Sequence, residues 1–243
     1  MRFLVKKPLK PYRHEMKYLI DEGTYRVLRQ RFMAALTPDR HAKNGEYRIT
    51  SLYFDDAYRS AYNDKMNGDF VRKKYRIRAY DLSPEFIRLE CKGKEGDYGL
   101  KRSARLTLEQ YRLAAKGDLS FCRGKEFEDT VAEDMIISNA LVGLRPHVLV
   151  DYVREPYINR EGNVRITFDK RLGAGINTLD MFDERVKFEP VMQGLMVLEV
   201  KYDSYLPSYI EELLSGVPLM RESCSKYALC SDKLLEINKA YKY

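Results

Sequence analysis

Glu15, Glu90 and Glu199 each stand two residues before a lysine (Lys17, Lys92 and Lys201), and each pair is set in an apolar run: HEMKYLI, IRLECK and VLEVKY. Along a β-strand, side chains alternate faces, so residues two apart project from the same side. In VLEVKY both charges share a face opposite Leu198, Val200 and Tyr202. In IRLECK, Arg88, Glu90 and Lys92 stand opposite Ile87, Leu89 and Cys91. The grammar recurs with Arg13, Glu15 and Lys17, with Lys74, Arg76 and Arg78, with Tyr152 and Arg154, and with Arg165, Thr167 and Asp169. Such a face suits polyanions: arginine grips two oxygens with its planar fork, and lysine supplies a mobile point charge. Carboxylates among those cations have two uses. They hold their neighbours' rotamers, or they take a divalent metal that also contacts phosphate oxygens.

Other chemistries find less support. Cys91, Cys122, Cys224 and Cys230 form no CxxC pair, and His14, His41 and His147 lie far apart, so no zinc spacing and no histidine-based site is visible. The cysteines read as free structural thiols in a reducing, cytoplasmic setting. No serine, cysteine or histidine triad stands out, and phosphoryl transfer needs none, because it rests on positioning and charge stabilisation. Lys plus Arg outnumber Asp plus Glu by 43 to 36, a net charge of +7. That favours an anionic partner, although a basic surface kept for solubility fits the number equally well. The first residues lack the apolar run of a signal peptide, and no stretch approaches the ~18 apolar residues of a membrane span.

The elements that must position these residues are mostly strands. Strand patterns cover 12–20, 47–54, 70–80, 85–92 and 98–106, then 147–158, 163–170, a weaker pair within 177–190, and 196–202. Turn chemistry separates them at Asn67-Gly68-Asp69, Ser83-Pro84, 94–97 and 159–163. Helical patterns cover 22–36 after the N-cap candidate Asp21, 108–116 after Thr107, 126–141, 206–214 and 225–239. Strands joined by tight turns predict antiparallel pairing and an α+β fold. The charged faces could each be solvated. Yet they repeat the Glu-x-Lys unit and hold few Ser, Thr, Asn or Gln, which favours a closed barrel with a hydrated polar interior and helices on its outer wall.

The ordered set RHEMKYLI (13–20), SLYFDD (51–56), KYRIRAY (74–80), RLECK (88–92), VDYVREPY (150–157), VRITFD (164–169), VLEVKY (197–202) and SKY (225–227) resembles the VTC domain. That is the polyphosphate polymerase catalytic domain of the triphosphate tunnel metalloenzyme (CYTH-like) superfamily. The resemblance implies one domain over residues 1–243, folded as a closed eight-stranded antiparallel tunnel with helices outside. It implies an enzyme that binds ATP and elongates inorganic polyphosphate or pyrophosphate, releasing ADP. By matching motif, Arg76, Arg78, Lys92, Lys201 and Glu199 would carry catalysis. Lys17, Lys101, Arg154, Arg165 and Lys226 would bind phosphates, Glu15 and Glu90 would orient neighbouring cations, and Glu199 would hold Mn2+ or Mg2+.

Two departures bear on this. Triphosphatase branches of the superfamily open with EXEXK, whereas the first Glu position here is Arg13; losing that carboxylate favours transfer to a phosphate acceptor over a metal-activated water. In KRSAR (101–105) either Lys101 or Arg102 could line the tunnel. No SPX region or membrane segment of the fungal proteins is expected, so a sensor or membrane-protein partner would come from another chain. A triphosphatase and a non-catalytic polyphosphate- or nucleic-acid-binding module stay as alternatives. Nucleic acid is not the expected partner, because most tyrosines, such as Tyr75 and Tyr202, fall on the apolar face.

Overall fold

In the computed structural model, which describes residues 13–95, 98–127 and 130–240, the ladder is antiparallel throughout. The chain runs β1 (His14–Asp21), α1 (Glu22–Ala35), β2 (Thr37–Pro38), β3 (Tyr47–Asp55), α2 (Ser60–Asn67), β4 (Val71–Tyr80), β5 (Ser83–Glu95), β6 (Tyr98–Leu106), α3 (Leu108–Ala115) and α4 (Val131–Val142). It continues β7 (Arg145–Asn159), β8 (Val164–Gly175), β9 (Phe188–Pro190), β10 (Leu195–Tyr202), α5 (Ser208–Leu214), β11 (Met220–Arg221) and α6 (Lys226–Ala240). Long strands lie in the order β1-β10-β8-β7-β3-β4-β5-β6, with β11 on the outer edge of β1. The α+β expectation therefore holds. Tyr12, where the first strand pattern begins, and Gly96 and Asp97, in the predicted turn, lie outside the described residues.

Closure is where the sequence expectation and the fold differ. Among the described residues no backbone pairing joins β6 to β1, because β11 and Glu222 take the free edge of β1: Tyr18 pairs with Arg221, and the Glu222 N–H donates to Lys17 O at 2.9 Å. The sheet is nonetheless curled enough that β5 meets β1 through side chains, with Lys92 Nζ 3.3 Å from Glu15 Oε2. Strand twist accumulated over eight long strands produces that curl.

Two helical layers cover the convex side. Asp21 caps α1, accepting from Thr24 N at 2.7 Å, and α1 lays Leu28 and Phe32 with Ile210 of α5 onto Ile166, Phe168, Leu198 and Val200. Complete burial of a Leu or Phe is worth about 1.5–3 kcal/mol, so these contacts anchor the layer. Thr107 and Gln110 close a capping box on α3, which with α4 covers Leu52, Ile77, Ile87 and Leu89. The last helix corrects the expectation that all helices lie outside. Tyr227 and Cys230 of α6 pack on the concave face against Ile49, Val148, Val150, Leu172 and Ala174.

Local differences have local causes. The 81–82 turn joins β4 to β5, with Asp81 and Leu82 at φ of 50° and 51°, so Ser83-Pro84 opens the strand instead of turning it. Helix α2 was not visible in sequence because SAYNDKMN has no apolar stripe, and none of its residues is buried. Gly162, at φ 67°, makes the β7–β8 hairpin at the predicted place. Of the weaker pair within 177–190 only β9 forms a strand.

Candidate functional site

Strand register gathers the charged residues on the concave face. On β4, Lys74, Arg76 and Arg78 stand opposite Lys92, Glu90 and Arg88 of β5, which in turn face Lys101, Ser103 and Arg105 of β6. Lys101 therefore takes the interior position, while Arg102 pairs with Cys91 on the apolar side. Glu90, 2% exposed, is the hub of this half. It accepts from Arg76 Nε at 2.8 Å, and its oxygens lie 2.6 Å from Arg76 Nη2, 2.6 Å from Lys101 Nζ and 3.9 Å from Arg78 Nη1. Burial would raise its pKa, but Arg76, Arg78 and Lys101 pull it down to about 2.

The other half is built on β1, β10, β8 and β7. Lys17 lies 2.7 Å from Glu15 and 3.7 Å from Glu199; Lys201 lies 2.5 Å from Glu199 and 3.9 Å from Glu15. The four form a diagonal of alternating charge set by the register Glu15 to Lys201 and Lys17 to Glu199. Glu199 is 5% exposed; burial opposes its charge, yet Lys201, Arg154 and Lys17 hold it well below the usual carboxylate range. Glu15 is lowered for the same kind of reason, with burial opposing and Lys201 the main cation in favour. Lys201 itself is pushed down, because burial and nearby Arg154 outweigh its two carboxylates.

Behind this diagonal, Arg154 grips Asp169 with both arms, Nε at 2.6 Å and Nη2 at 2.7 Å, and reaches to 3.8 Å from Glu199. Lys226, at the start of α6, lies 2.6 Å from Asp169 Oδ2, the oxygen that Arg154 Nη2 also binds, and that carboxylate keeps its ammonium charged against the cost of burial. Arg165 sits nearer the rim, donating to Tyr47 Oη at 3.0 Å and paired with Asp39 at 2.9 Å. Arg13 also lies at the rim, bonded to Asn163 O at 2.7 Å and paired with Asp203.

All the predicted site residues thus line one concave surface in two adjoining clusters, linked by the Lys92–Glu15 pair. Sequence reasoning left four interior residues without a role. Asp169 is the shared anchor of Arg154 and Lys226. Tyr152 carries Arg154 and Lys226 over its ring, at 5.4 and 5.0 Å. Lys74 has its pKa pushed down to about 8 by burial and by Lys65 and Arg72. Tyr53 accepts from Arg76 Nη1 at 2.9 Å. Each was legible as the alternate partner of a charged position, but a lone Tyr or Asp in a strand usually belongs to packing or an ion pair.

Chemically the surface is rich in donors and poor in free acceptors. Glu15, Glu90, Asp169 and Glu199 already face cations, and Ser51 Oγ, Thr167 Oγ1 and Arg78 Nε are buried without a hydrogen-bond partner. Buried polar atoms of that kind are ordinarily satisfied by water or a ligand. Among the described residues no three His, Cys, Asp or Glu side chains converge as a protein-only metal cage. Glu199, with Glu15 on the same Lys201, is the carboxylate that would hold a divalent cation, which would supply positive charge to an anion bound beside it.

A family model described as the VTC domain matches residues 12–235. No curated protein matches the sequence. Among solved structures, the chain is similar to a putative adenylyl cyclase from Hippeastrum described as having a dominant triphosphatase activity: 12% identity, TM-score 0.55, over 90% of this chain and 96% of that one. A putative adenylate cyclase from Vibrio parahaemolyticus gives 11% identity and TM-score 0.49 over 91% and 98% of the two chains. A protein from Pyrococcus horikoshii gives 14%, 0.46, 91% and 99%. The Hippeastrum likeness shows a shared fold.

Proposed function

Because the chain belongs to the VTC domain family, we propose that it is an ATP-dependent polyphosphate polymerase, a single domain that works inside its curled sheet. The observation that carries this reading is the concave surface itself, where Lys17, Arg76, Arg78, Lys92, Lys101, Arg154, Arg165, Lys201 and Lys226 converge on four carboxylates, Glu15, Glu90, Asp169 and Glu199, and outnumber them. Cations in that excess repel one another until a polyanion neutralises them. In this reading the side-chain contact of Lys92 on β5 with Glu15 on β1 spans the open edge and makes the curled sheet an eight-stranded tunnel.

The terminal oxygen of the phosphate chain attacks the γ-phosphorus of ATP; that bond forms as the one to the β-phosphate bridging oxygen breaks, and ADP leaves. Arg76, Arg78, Lys92 and Lys201 stabilise charge on the transferring group. Lys17, Lys101, Arg154, Arg165 and Lys226 hold the nucleotide phosphates and the chain. Glu90 and Glu15 keep those cations in place, and Glu199 would hold Mn2+ or Mg2+, which would neutralise charge on phosphate oxygens when bound. Arg13 supports transfer to phosphate over hydrolysis, since it stands paired with Asp203 where a second carboxylate would be needed. The four buried free cysteines support a reducing, cytoplasmic setting. No helix among the described residues is long and apolar enough to cross a membrane.

Purified protein incubated with ATP, Mn2+ and a pyrophosphate primer tests this. Long-chain polyphosphate on a gel with stoichiometric ADP is the expected result. Free phosphate without polymer would make the chain a triphosphatase, and neither product would leave a binding module.

A further inference from the structure

Tyr53 lies on the concave face of β3, 9% exposed, between the two charge clusters and α6. Its hydroxyl accepts from Arg76 Nη1 at 2.9 Å, and Arg76 is held on its other side by Glu90. Its ring stacks on Tyr227 of α6, centroids 5.2 Å apart, and Tyr227 in turn donates to Asp55. A phenol that accepts from a guanidinium still has its own proton to give. Arg78, two residues along β4 from Arg76, donates from Nη2 to Tyr152 Oη at 3.4 Å, Lys226 Nζ of α6 lies 5.0 Å from the ring of that same Tyr152, and Arg78 Nε is buried with no hydrogen-bond partner.

We propose that Tyr53 is a positioning residue of the interior: it fixes the Arg76 guanidinium by accepting one hydrogen bond and gives its own hydroxyl hydrogen bond to a phosphate oxygen held between Arg76, Arg78 and Lys226. The identity of that anion rests on the polymerase reading; the Tyr53–Arg76 contact does not. The electrostatics agree with the geometry. Burial alone would push the phenol up, but Arg76 first, then Arg78 and Lys226, pull it below its ordinary value. An anion bound among those cations screens them and raises the phenol again. Deprotonation at alkaline pH removes the donor, so anion binding weakens as Tyr53 ionises.

Protein labelled with 13C at tyrosine Cζ reports this directly, with Tyr53→Phe assigning the resonance. Tyr53 is expected to titrate below a free tyrosine, to return upward in Arg76→Gln, and to shift upward when tripolyphosphate is added. Tyr53→Phe keeps the ring stack and so preserves the α6 contact, and should weaken tripolyphosphate binding about tenfold at neutral pH, as for a hydrogen bond to a charged group. It should also flatten the alkaline fall in affinity that wild type shows. A Tyr53 resonance that ignores tripolyphosphate, or a Tyr53→Phe protein with wild-type affinity and pH profile, overturns the proposal. If polymer is made while Tyr53 stays silent, the proposal alone fails. If tripolyphosphate moves Tyr53 but no polymer forms, the polymerase reading alone fails.

Discussion

Single residues in the interior are set against one another, and Lys74 and Glu90 show the two signs of that balance. Glu90 is buried among three cations, and its folded pKa of about 2 lies below the ordinary glutamate value of 4.5. A depressed acid contributes stability that is present above the unfolded pKa and lost as pH falls through the folded one. Glu90 therefore contributes roughly 3 kcal/mol at neutral pH that disappears between about pH 4.5 and 2. In Glu90→Gln that acid-dependent segment should be missing from a urea-denaturation series across this pH range; an unchanged series would show that the three cations do not depend on it. Lys74 is the reverse case, a half-buried cation with cationic neighbours and a folded value of about 8. Because its folded pKa is lowered, its charge destabilises the fold below about pH 8, and stability recovers as pH rises from there toward the unfolded value. Lys74→Met should melt a few degrees higher at pH 7, where 1 kcal/mol moves a chain of this size by roughly 2–4 °C, while binding tripolyphosphate less tightly. A variant that melts lower would remove Lys74 from the repelling set. The transfer residues answer a different test: Arg76→Ala or Lys201→Ala should keep the fold and lose about 10²–10³ in turnover, by analogy with oxyanion donors. Near-wild-type polymer yield from both would sink the site assignment.

At the scale of elements, alternation was a sufficient guide to which strand residues face inward, because a register slip would bury every charge in the helix layers. It placed Glu15, Lys17, Arg76, Arg78, Glu90, Lys92, Glu199 and Lys201 on one side, where the structure also has them. It left the Lys101 and Arg102 ambiguity open, since three basic residues within KRSAR suit either phase; pairing with β5 resolves it in favour of Lys101. Helix α6 was misplaced because a 3.6-residue apolar pattern says that a helix packs, not which side of a sheet it packs on. A signal existed in β7, where Val148, Leu149 and Val150 are apolar on both faces, as a strand covered from two sides requires. The packing of α6 has a consequence. Lys226 is tied to Asp169, which also holds Arg154, so Asp169→Asn should loosen the helix and the site together. Amide exchange over 226–240 should accelerate in that variant; protection equal to wild type would mean that the apolar contacts of Tyr227 and Cys230 alone retain α6.

For the whole molecule, the order of strands was the least legible feature, because β1 meets β10 and β7 meets β3 across long stretches of chain whose lengths carry no pairing information. What sequence did convey is the conflict built into the assembly. A net charge of +7 is modest, but the fold concentrates the excess on one concave wall, where cations such as Lys74 and Lys201 have pKa values pushed down. A ligand that relieves this repulsion binds the folded state only, because the unfolded chain disperses the same charges. Linkage then sets the size of the effect: at a hundredfold excess over Kd, stability rises by about 2.7 kcal/mol, which for this length is a Tm increase of roughly 5–10 °C. Differential scanning fluorimetry with tripolyphosphate should show that rise at low ionic strength, with a smaller one as salt screens the contacts. Sodium chloride at matched ionic strength separates site binding from general screening. Arg76→Ala and Lys201→Ala break one cluster each, so each should lose much of the increase. A rise matched by sodium chloride, or retained in full by both variants, would mean that the concave wall is not where the anion binds.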